Sequence, residues 1–145
     1  MLRKCLVFML LINASLASAA NDAVFKYTVN KSMDLVYADV YKGLENAGFY
    51  VVFEADIGAN ISRFAEKWGD NYNRNQLESI RSMVFCNGWY ANAVSNADPD
   101  MLALCPLRMS LVEKAGKTSA LFARPSVIAS GSAAKPLLEK IESEV

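Results

Sequence analysis

The sequence predicts an α+β fold with two layers, in which helices pack on one face of a mostly antiparallel sheet. Segments with strand and helix periodicity alternate in the order β-α-β-α-β-α-β-β-α. The last two strands are joined by a tight turn at Ala115-Gly116, and such hairpins connect antiparallel neighbours. The short elements and this final hairpin favour an α+β fold over a doubly wound parallel sheet.

Residues 1–19 are predicted to be a signal peptide. Arg3 and Lys4 precede an apolar run at 5–12, and Ala17-Ser18-Ala19 then offers a small-residue cleavage site. The run is shorter than the roughly 20 residues that a membrane-spanning helix needs. We therefore expect an exported protein, periplasmic if the organism is a Gram-negative bacterium, with no membrane association after cleavage.

The composition of the remaining chain excludes several classes of function. Removing the first nineteen of 145 residues leaves 126, which is the size of one domain, at 20–145. Thirteen basic and fifteen acidic residues then remain, a net charge of −2 with no basic run, which argues against nucleic-acid binding. The chain has no histidine, so His-based catalysis and His metal ligands are excluded. The composition favours a non-enzymatic protein without a cofactor.

The first half of the domain is predicted to contain two strands and two helices. A strand rich in β-branched and aromatic residues is predicted at 23–30. It is followed by a helix that is capped by Ser32 and ended by Gly48. The next strand, 49–57, alternates apolar and polar residues, with Phe53 on its apolar face. A short helix at 59–68 and a polar loop follow.

The second half is predicted to contain three strands and two helices. A strand at 79–86 leads to a helix capped by Asn87. A long strand is expected at 101–113, on a sheet edge or with a bulge because Pro106 interrupts it. A strand at 118–123 follows, and a closing helix at 136–144 begins with Pro136.

Three places in this order carry a family resemblance. They are Gly48-Phe49 opening a strand that ends in Glu54-Ala55-Asp56-Ile57, the Cys86-Asn87 step, and Ala97-Asp98-Pro99-Asp100 before an apolar segment with Cys105 and Pro106. Together they resemble domain-of-unknown-function family 302, over about 24–125. The resemblance implies a two-layer α+β fold and a tendency to dimerise. It implies no reaction.

Cys86 and Cys105 are the two cysteines of the exported domain, and three interpretations remain open for them. If the Ile80 face of one strand and the Cys105 face of the other both look toward the helices, the two cysteines lie on the same side of the sheet. They could then be a structural disulfide or two buried thiols, since exported proteins retain disulfides. A redox pair is the second interpretation, because Cys86 opens a helix.

A Cu(I) site is the third interpretation, because thioethers and thiolates are soft ligands. The candidate ligands are Met83, Cys86, Met101, Cys105 and Met109.

The opposite face of the sheet is predicted to be a ligand-binding or dimer face. This face is less polar than an exposed surface should be, and contiguous apolar patches usually mark interaction sites. The candidate residues are Tyr50, Glu54, Asp56, Arg81, Phe85 and Arg108.

The sequence thus favours an exported, non-enzymatic module of unknown specificity that forms a homodimer and binds a small molecule or an exported partner protein. The alternative is a periplasmic thiol-redox or sulfur-handling protein that uses Cys86 and Cys105.

Overall fold

The computed structural model describes residues 22–145, so the predicted signal peptide at 1–19 lies outside the described residues. The described chain has five strands: β1 Val24–Val29, β2 Tyr50–Asp56, β3 Ser79–Cys86, β4 Leu107–Lys114 and β5 Lys117–Ala123. They form one sheet in the order β1-β5-β4-β3-β2, and every neighbouring pair is antiparallel. The predicted α+β class is confirmed.

Six α-helices accompany the strands in residues 22–145. They are α1 Met33–Asn46, α2 Ile57–Ser62, α3 Ala65–Trp68, α4 Gly88–Ala97, α5 Pro125–Ile128 and α6 Lys135–Glu144. Two 3-10 segments, Gly69–Asn71 and Pro99–Leu104, complete the order. None of these helices combines the length and apolarity that crossing a membrane requires.

The helix α1 forms where the sequence places its start and stop signals. Ser32 precedes it in an extended conformation, although its side chain makes no capping hydrogen bond, and Asp34 lies in the first turn. Gly48 follows the helix with a φ of +80°, a conformation that only glycine adopts without strain. This turn carries the chain directly into the buried Phe49 and the strand β2.

The core lies between the sheet and the helices and is built on aromatic rings. Phe85 of β3 is fully buried, with its ring 6.1 Å from that of Phe49 and 6.3 Å from that of Phe122. Phe49 in turn stacks on Tyr90 of α4 at 5.9 Å. The fully buried Met83 and Leu111 extend the same core. Aromatic pairs at these separations contribute about 0.5–1.5 kcal/mol each beyond their buried area.

The predicted facing of β3 is wrong. The sequence placed Ile80, Ser82, Val84 and Cys86 toward the helices, but the structure buries Met83 and Phe85 there instead. Cys86, at the end of the strand, nevertheless lies beside α4 and α6. The polar Arg81 shares the face of Met83 and Phe85, which made that face read as the solvent side. Its guanidinium is satisfied by α1, so a charged side chain is tolerated at the margin of the core.

The predicted single apolar face of β2 is also wrong. Val51 pairs with Phe85 and Phe53 pairs with Val84, so Val52 is an extra residue in a β-bulge. The bulge reverses the side-chain alternation beyond it, and Phe53 is 61% exposed.

The strand predicted at 101–113 begins only at Leu107, because Pro99–Leu104 is a 3-10 segment. The Asp98 side chain accepts a hydrogen bond from Asp100 N and Pro99 occupies the first turn, which together favour a helical start over a strand. Pro106 precedes β4 rather than interrupting it, and β4 is the central strand, not an edge.

The remaining elements follow the prediction except in detail. The short helix expected at 59–68 is divided into α2 and α3, and Asp56 caps the first of them through Ala59 N. The closing helix expected at 136–144 is α6. The helix α5 was not predicted.

Replacement of Phe85 by alanine is expected to destabilise the fold by about 3–5 kcal/mol, because it leaves a cavity among rings that cannot close over it. Phe53→Ala is the matched control and should cost less than about 1 kcal/mol, since its ring is mostly in solvent. Urea unfolding followed by circular dichroism measures both values. Equal losses would contradict the facing of these two strands.

Candidate functional site

The two cysteines meet at one end of the central strands. Phe85 and Leu107 are the last pair in the β3–β4 register, so Cys86 and Cys105 lie just beyond the paired region on the two sides. Their Sγ atoms are 3.7 Å apart. The sequence predicted this proximity from strand faces, but the structure produces it by returning the chain through α4 and Pro99–Leu104 to the end of β3.

Both cysteines are free thiols, and both are half-buried. A separation of 3.7 Å is well beyond the S–S bond length of about 2.05 Å. Burial, reinforced by the neighbouring Cys86, raises the pKa of the Cys105 thiol to about 11. Cys105 is therefore protonated at neutral pH unless a cation stabilises its thiolate.

Asn87 fixes the chain next to Cys86. Its side-chain oxygen accepts hydrogen bonds from Trp89 N at 3.0 Å and Tyr90 N at 3.1 Å, which caps α4 as the sequence predicted. Its amide nitrogen donates to the Gly48 carbonyl at 3.0 Å, a contact that sequence reasoning missed. A side chain at Gly48 would approach this amide, so the α1–β2 turn and the α4 start are fitted to each other.

A small apolar cavity, here called the thiol cavity, lies beside the two sulfurs. Its volume is about 20 Å³, room for a single water-sized atom. The Tyr90 hydroxyl donates to Glu144 at 2.6 Å, which holds α4 against α6 beside the cavity and raises the pKa of Tyr90 to about 12. The lining residues are Phe49, Cys86, Asn87, Tyr90, Ala91, Val94, Met101, Leu104, Cys105, Leu107, Leu138 and Ile141.

The structure separates the soft ligands that the sequence grouped. Met101 lines the thiol cavity together with Cys86 and Cys105. Met83 and Met109 pair with each other across β3 and β4 inside the core and do not line it. Within residues 22–145, no three Cys, Asp or Glu side chains are grouped closely enough to hold a metal ion.

The residues predicted to form one ligand or dimer face are divided between the two faces of the sheet. By register, Glu54, Asp56, Arg81 and Phe85 lie on the helix side, and Tyr50 and Arg108 lie on the other side. The β2 bulge and the inverted facing of β3 cause this division.

Charged residues on the helix side of the sheet contact α1 and α2. Arg81 forms an ion pair with Asp34 at 3.1 Å, and its guanidinium lies 5.3 Å from the centre of the Tyr37 ring. The Tyr37 hydroxyl donates to Glu54, and burial together with this carboxylate raises the pKa of Tyr37. These contacts hold α1 and α2 against the sheet.

The opposite face of the sheet, here called the outer face, is cationic. Its paired strand positions include Lys26, Arg108, Lys114 and Lys117 but no carboxylate. Exposed apolar side chains, including Val24, Tyr50 and Phe53, lie among them. This combination of apolar area and positive charge suits an amphipathic anion.

An open groove of about 430 Å³ crosses the outer face at Arg108. Val24, Leu121 and Ile128 supply apolar walls, and Ser110 supplies a hydroxyl. No carboxylate among residues 22–145 lies within ion-pair distance of Arg108. Its guanidinium is therefore available to a ligand.

The sequence identified Arg108 but missed the groove, because one wall comes from the short helix α5. Pro125 at its first position is the helix-start signal that could have indicated α5.

Comparison with known proteins agrees with this architecture. The family model described as "Domain of unknown function DUF302" matches residues 25–145. The chain belongs to the DUF302 family.

A crystal structure of an uncharacterised DUF302 protein from Bacillus stearothermophilus is similar, with a TM-score of 0.71 and 17% identity, over 85% of this chain and 92% of that one. Comparison with curated proteins gave no match. At this identity the DUF302 structure shows the fold alone.

Proposed function

We propose that this DUF302 protein is an exported, non-enzymatic module that binds a small amphipathic anion in the outer-face groove. The observation that carries the proposal is Arg108, which has no ion-pair partner within residues 22–145 and lies in a groove of about 430 Å³, a volume within the range of small-molecule sites. The concave shape favours a small molecule over a flat protein partner. The anionic group would bind Arg108 and Ser110, which are two residues apart on the same face of β4.

The apolar part of the ligand would lie against Val24, Leu121 and Ile128. Val24 and Ile128 are more than one-third exposed, so covering them removes apolar area from water. Export is proposed from the signal-peptide pattern of residues 1–19, with a periplasmic location if the organism is a Gram-negative bacterium. An exported protein meets small anions from outside the cell or from membranes.

Octanoate is expected to bind more tightly than 1-octanol, because only the carboxylate can form a charge-assisted hydrogen bond with Arg108. Arg108→Gln should weaken octanoate binding about tenfold, the low end for a charged hydrogen bond at an open site, and leave octanol unchanged. Lys114→Gln removes a cation from the same strand and face, outside the groove, and should have little effect. Calorimetric titration measures all six affinities; equal loss in both variants would contradict the groove.

We also propose a homodimer, formed along the free edge of β1 rather than through the face that the sequence suggested. The strand β1 pairs only with β5 and leaves its other edge unpaired within residues 22–145. Phe25 is 51% exposed and Tyr27 is 62% exposed on this strand. An exposed apolar edge strand is a template for pairing with another chain.

Light scattering at micromolar concentration is expected to give twice the monomer mass. Tyr27→Asp should shift the protein toward monomer, because it places a charge in the proposed contact. Tyr50→Asp is the control on the opposite edge strand, where the exposed fraction is nearly the same at 63%. A monomeric wild-type protein would refute the dimer.

Thiol–disulfide exchange is a second candidate function, favoured by the 3.7 Å separation of the Cys86 and Cys105 sulfurs. The oxidant would be the disulfide of a partner protein or of glutathione. The thiolate of Cys86 attacks that disulfide and releases one thiol, and Cys105 then displaces the second. The DUF302 chain gains one S–S bond and loses two protons and two electrons, which reduce the partner to two thiols. Cys105 is the second reactant because burial holds its pKa at about 11.

Incubation with oxidised glutathione, acid quenching and mass spectrometry test this exchange. The wild-type protein should lose two hydrogens, and Cys105→Ser should accumulate a mixed disulfide with glutathione at Cys86. Cys86→Ser should react with oxidised glutathione much more slowly, because only the buried Cys105 thiol remains. Wild-type protein that stays fully reduced at every glutathione ratio would rule the exchange out.

A further inference from the structure

We infer that the reduced thiol cavity is a binding site for one Cu(I) ion, held by the sulfurs of Cys86 and Cys105 with the Met101 thioether as third ligand. The inference goes beyond the proposed groove, whose anion-binding residues Arg108 and Ser110 do not line the thiol cavity. It rests on the sulfur separation, the size and polarity of the cavity, and the set of donors around it.

The separation of the sulfurs fits one bridging metal ion. The two Sγ atoms are 3.7 Å apart. An ion about 2.3 Å from each of them would have an S–metal–S angle of about 107°. A linear two-coordinate ion would instead need sulfurs about 4.6 Å apart. The observed angle leaves a position for a third ligand.

The cavity limits what that ion and ligand can be. Its volume of about 20 Å³ accepts one atom, and its walls are almost entirely apolar, so a water molecule there would lack the two to four partners that it needs. Met101 is the remaining soft donor in the lining. Thiolate and thioether ligands select Cu(I), whereas Zn²⁺ would require further Cys, His or carboxylate ligands. No such group completes the set in residues 22–145.

Binding exchanges protons for the metal ion without any change of oxidation state. Each cysteine that ligates as a thiolate releases one proton to solvent, and Cu(I) takes its place. Apart from the two thiols, the titratable group that lines the cavity is Tyr90 of α4, which donates to Glu144 of α6. Glu144 also lies 3.9 Å from Lys140, whose ammonium is 5.9 Å from the Tyr90 ring. Tyr90, Glu144 and Lys140 are thus engaged with one another beside the cavity.

The test is a competition between the full mature chain, reduced and kept free of oxygen, and the chromophoric Cu(I) chelator bathocuproine disulfonate. We expect one Cu(I) per chain, with X-ray absorption showing sulfur ligands alone.

Variants identify the ligands. Cys86→Ser and Cys105→Ser should each weaken binding at least about a hundredfold and Met101→Leu about tenfold, because loss of an outer-shell partner alone costs about tenfold to a hundredfold and a direct ligand contributes at least as much. Met109→Leu makes the same change in the core, outside the cavity, and should leave the affinity unchanged. Circular dichroism confirms that each variant is folded, and Arg108→Gln should bind Cu(I) as the wild type does.

Three results would overturn the inference. Wild-type protein could release all Cu(I) to the chelator, or Cys105→Ser could retain the wild-type affinity. The purified protein could also contain a Cys86–Cys105 disulfide that withstands reductant. Equal affinities of Met101→Leu and Met109→Leu would remove Met101 from the site.

Discussion

The register of β3 against β4 is the constraint on which both candidate sites depend. It places Phe85 opposite Leu107 and Val84 opposite Arg108. Phe85 then enters the aromatic core, and Arg108 points to the outer face. A slip of one residue would move Met83 and Phe85 into solvent, so the buried rings hold the register against every alternative. The thiols of Cys86 and Cys105 meet because β3 and β4 stop pairing just beyond Phe85 and Leu107.

The two faces of the sheet use charge in different ways. On the helix side, Arg81 and Glu54 are engaged by Asp34 and Tyr37 of α1, and the contacts fix that helix across β2 and β3. On the outer face, the cation of Arg108 has no carboxylate within reach among the described residues. Charges that are already paired stabilise the fold, whereas an unpaired charge beside apolar walls can select a ligand.

The groove and the thiol cavity are neighbours that share two wall residues, Leu104 and Leu107. Their chemistry is nevertheless distinct. The groove is open, holds about 430 Å³ and carries a cation, so it suits an anion with an apolar body. The cavity has space for one atom and presents sulfur, so it suits a soft cation. Ligand binding and sulfur chemistry can therefore be separated by changing Arg108 or the cysteines.

The sequence by itself determined the class of fold, the order of the main elements, the caps at Gly48 and Asn87, and the family. These depend on local periodicity and on backbone preferences that neighbouring residues decide. It also identified Cys86 and Cys105 as the two cysteines after the predicted signal peptide, and Arg108 from its place on the predicted opposite face of the sheet.

Only the tertiary structure decided which face of each strand is buried. A single bulge at Val52 reversed the facing expected for β2, and the burial of Met83 and Phe85 decided the facing of β3. Such side-chain facing depends on partners far away in the chain, which a local pattern does not contain. For the same reason the sequence named the two cysteines, but only the folded chain could bring their sulfurs to 3.7 Å and enclose a cavity beside them.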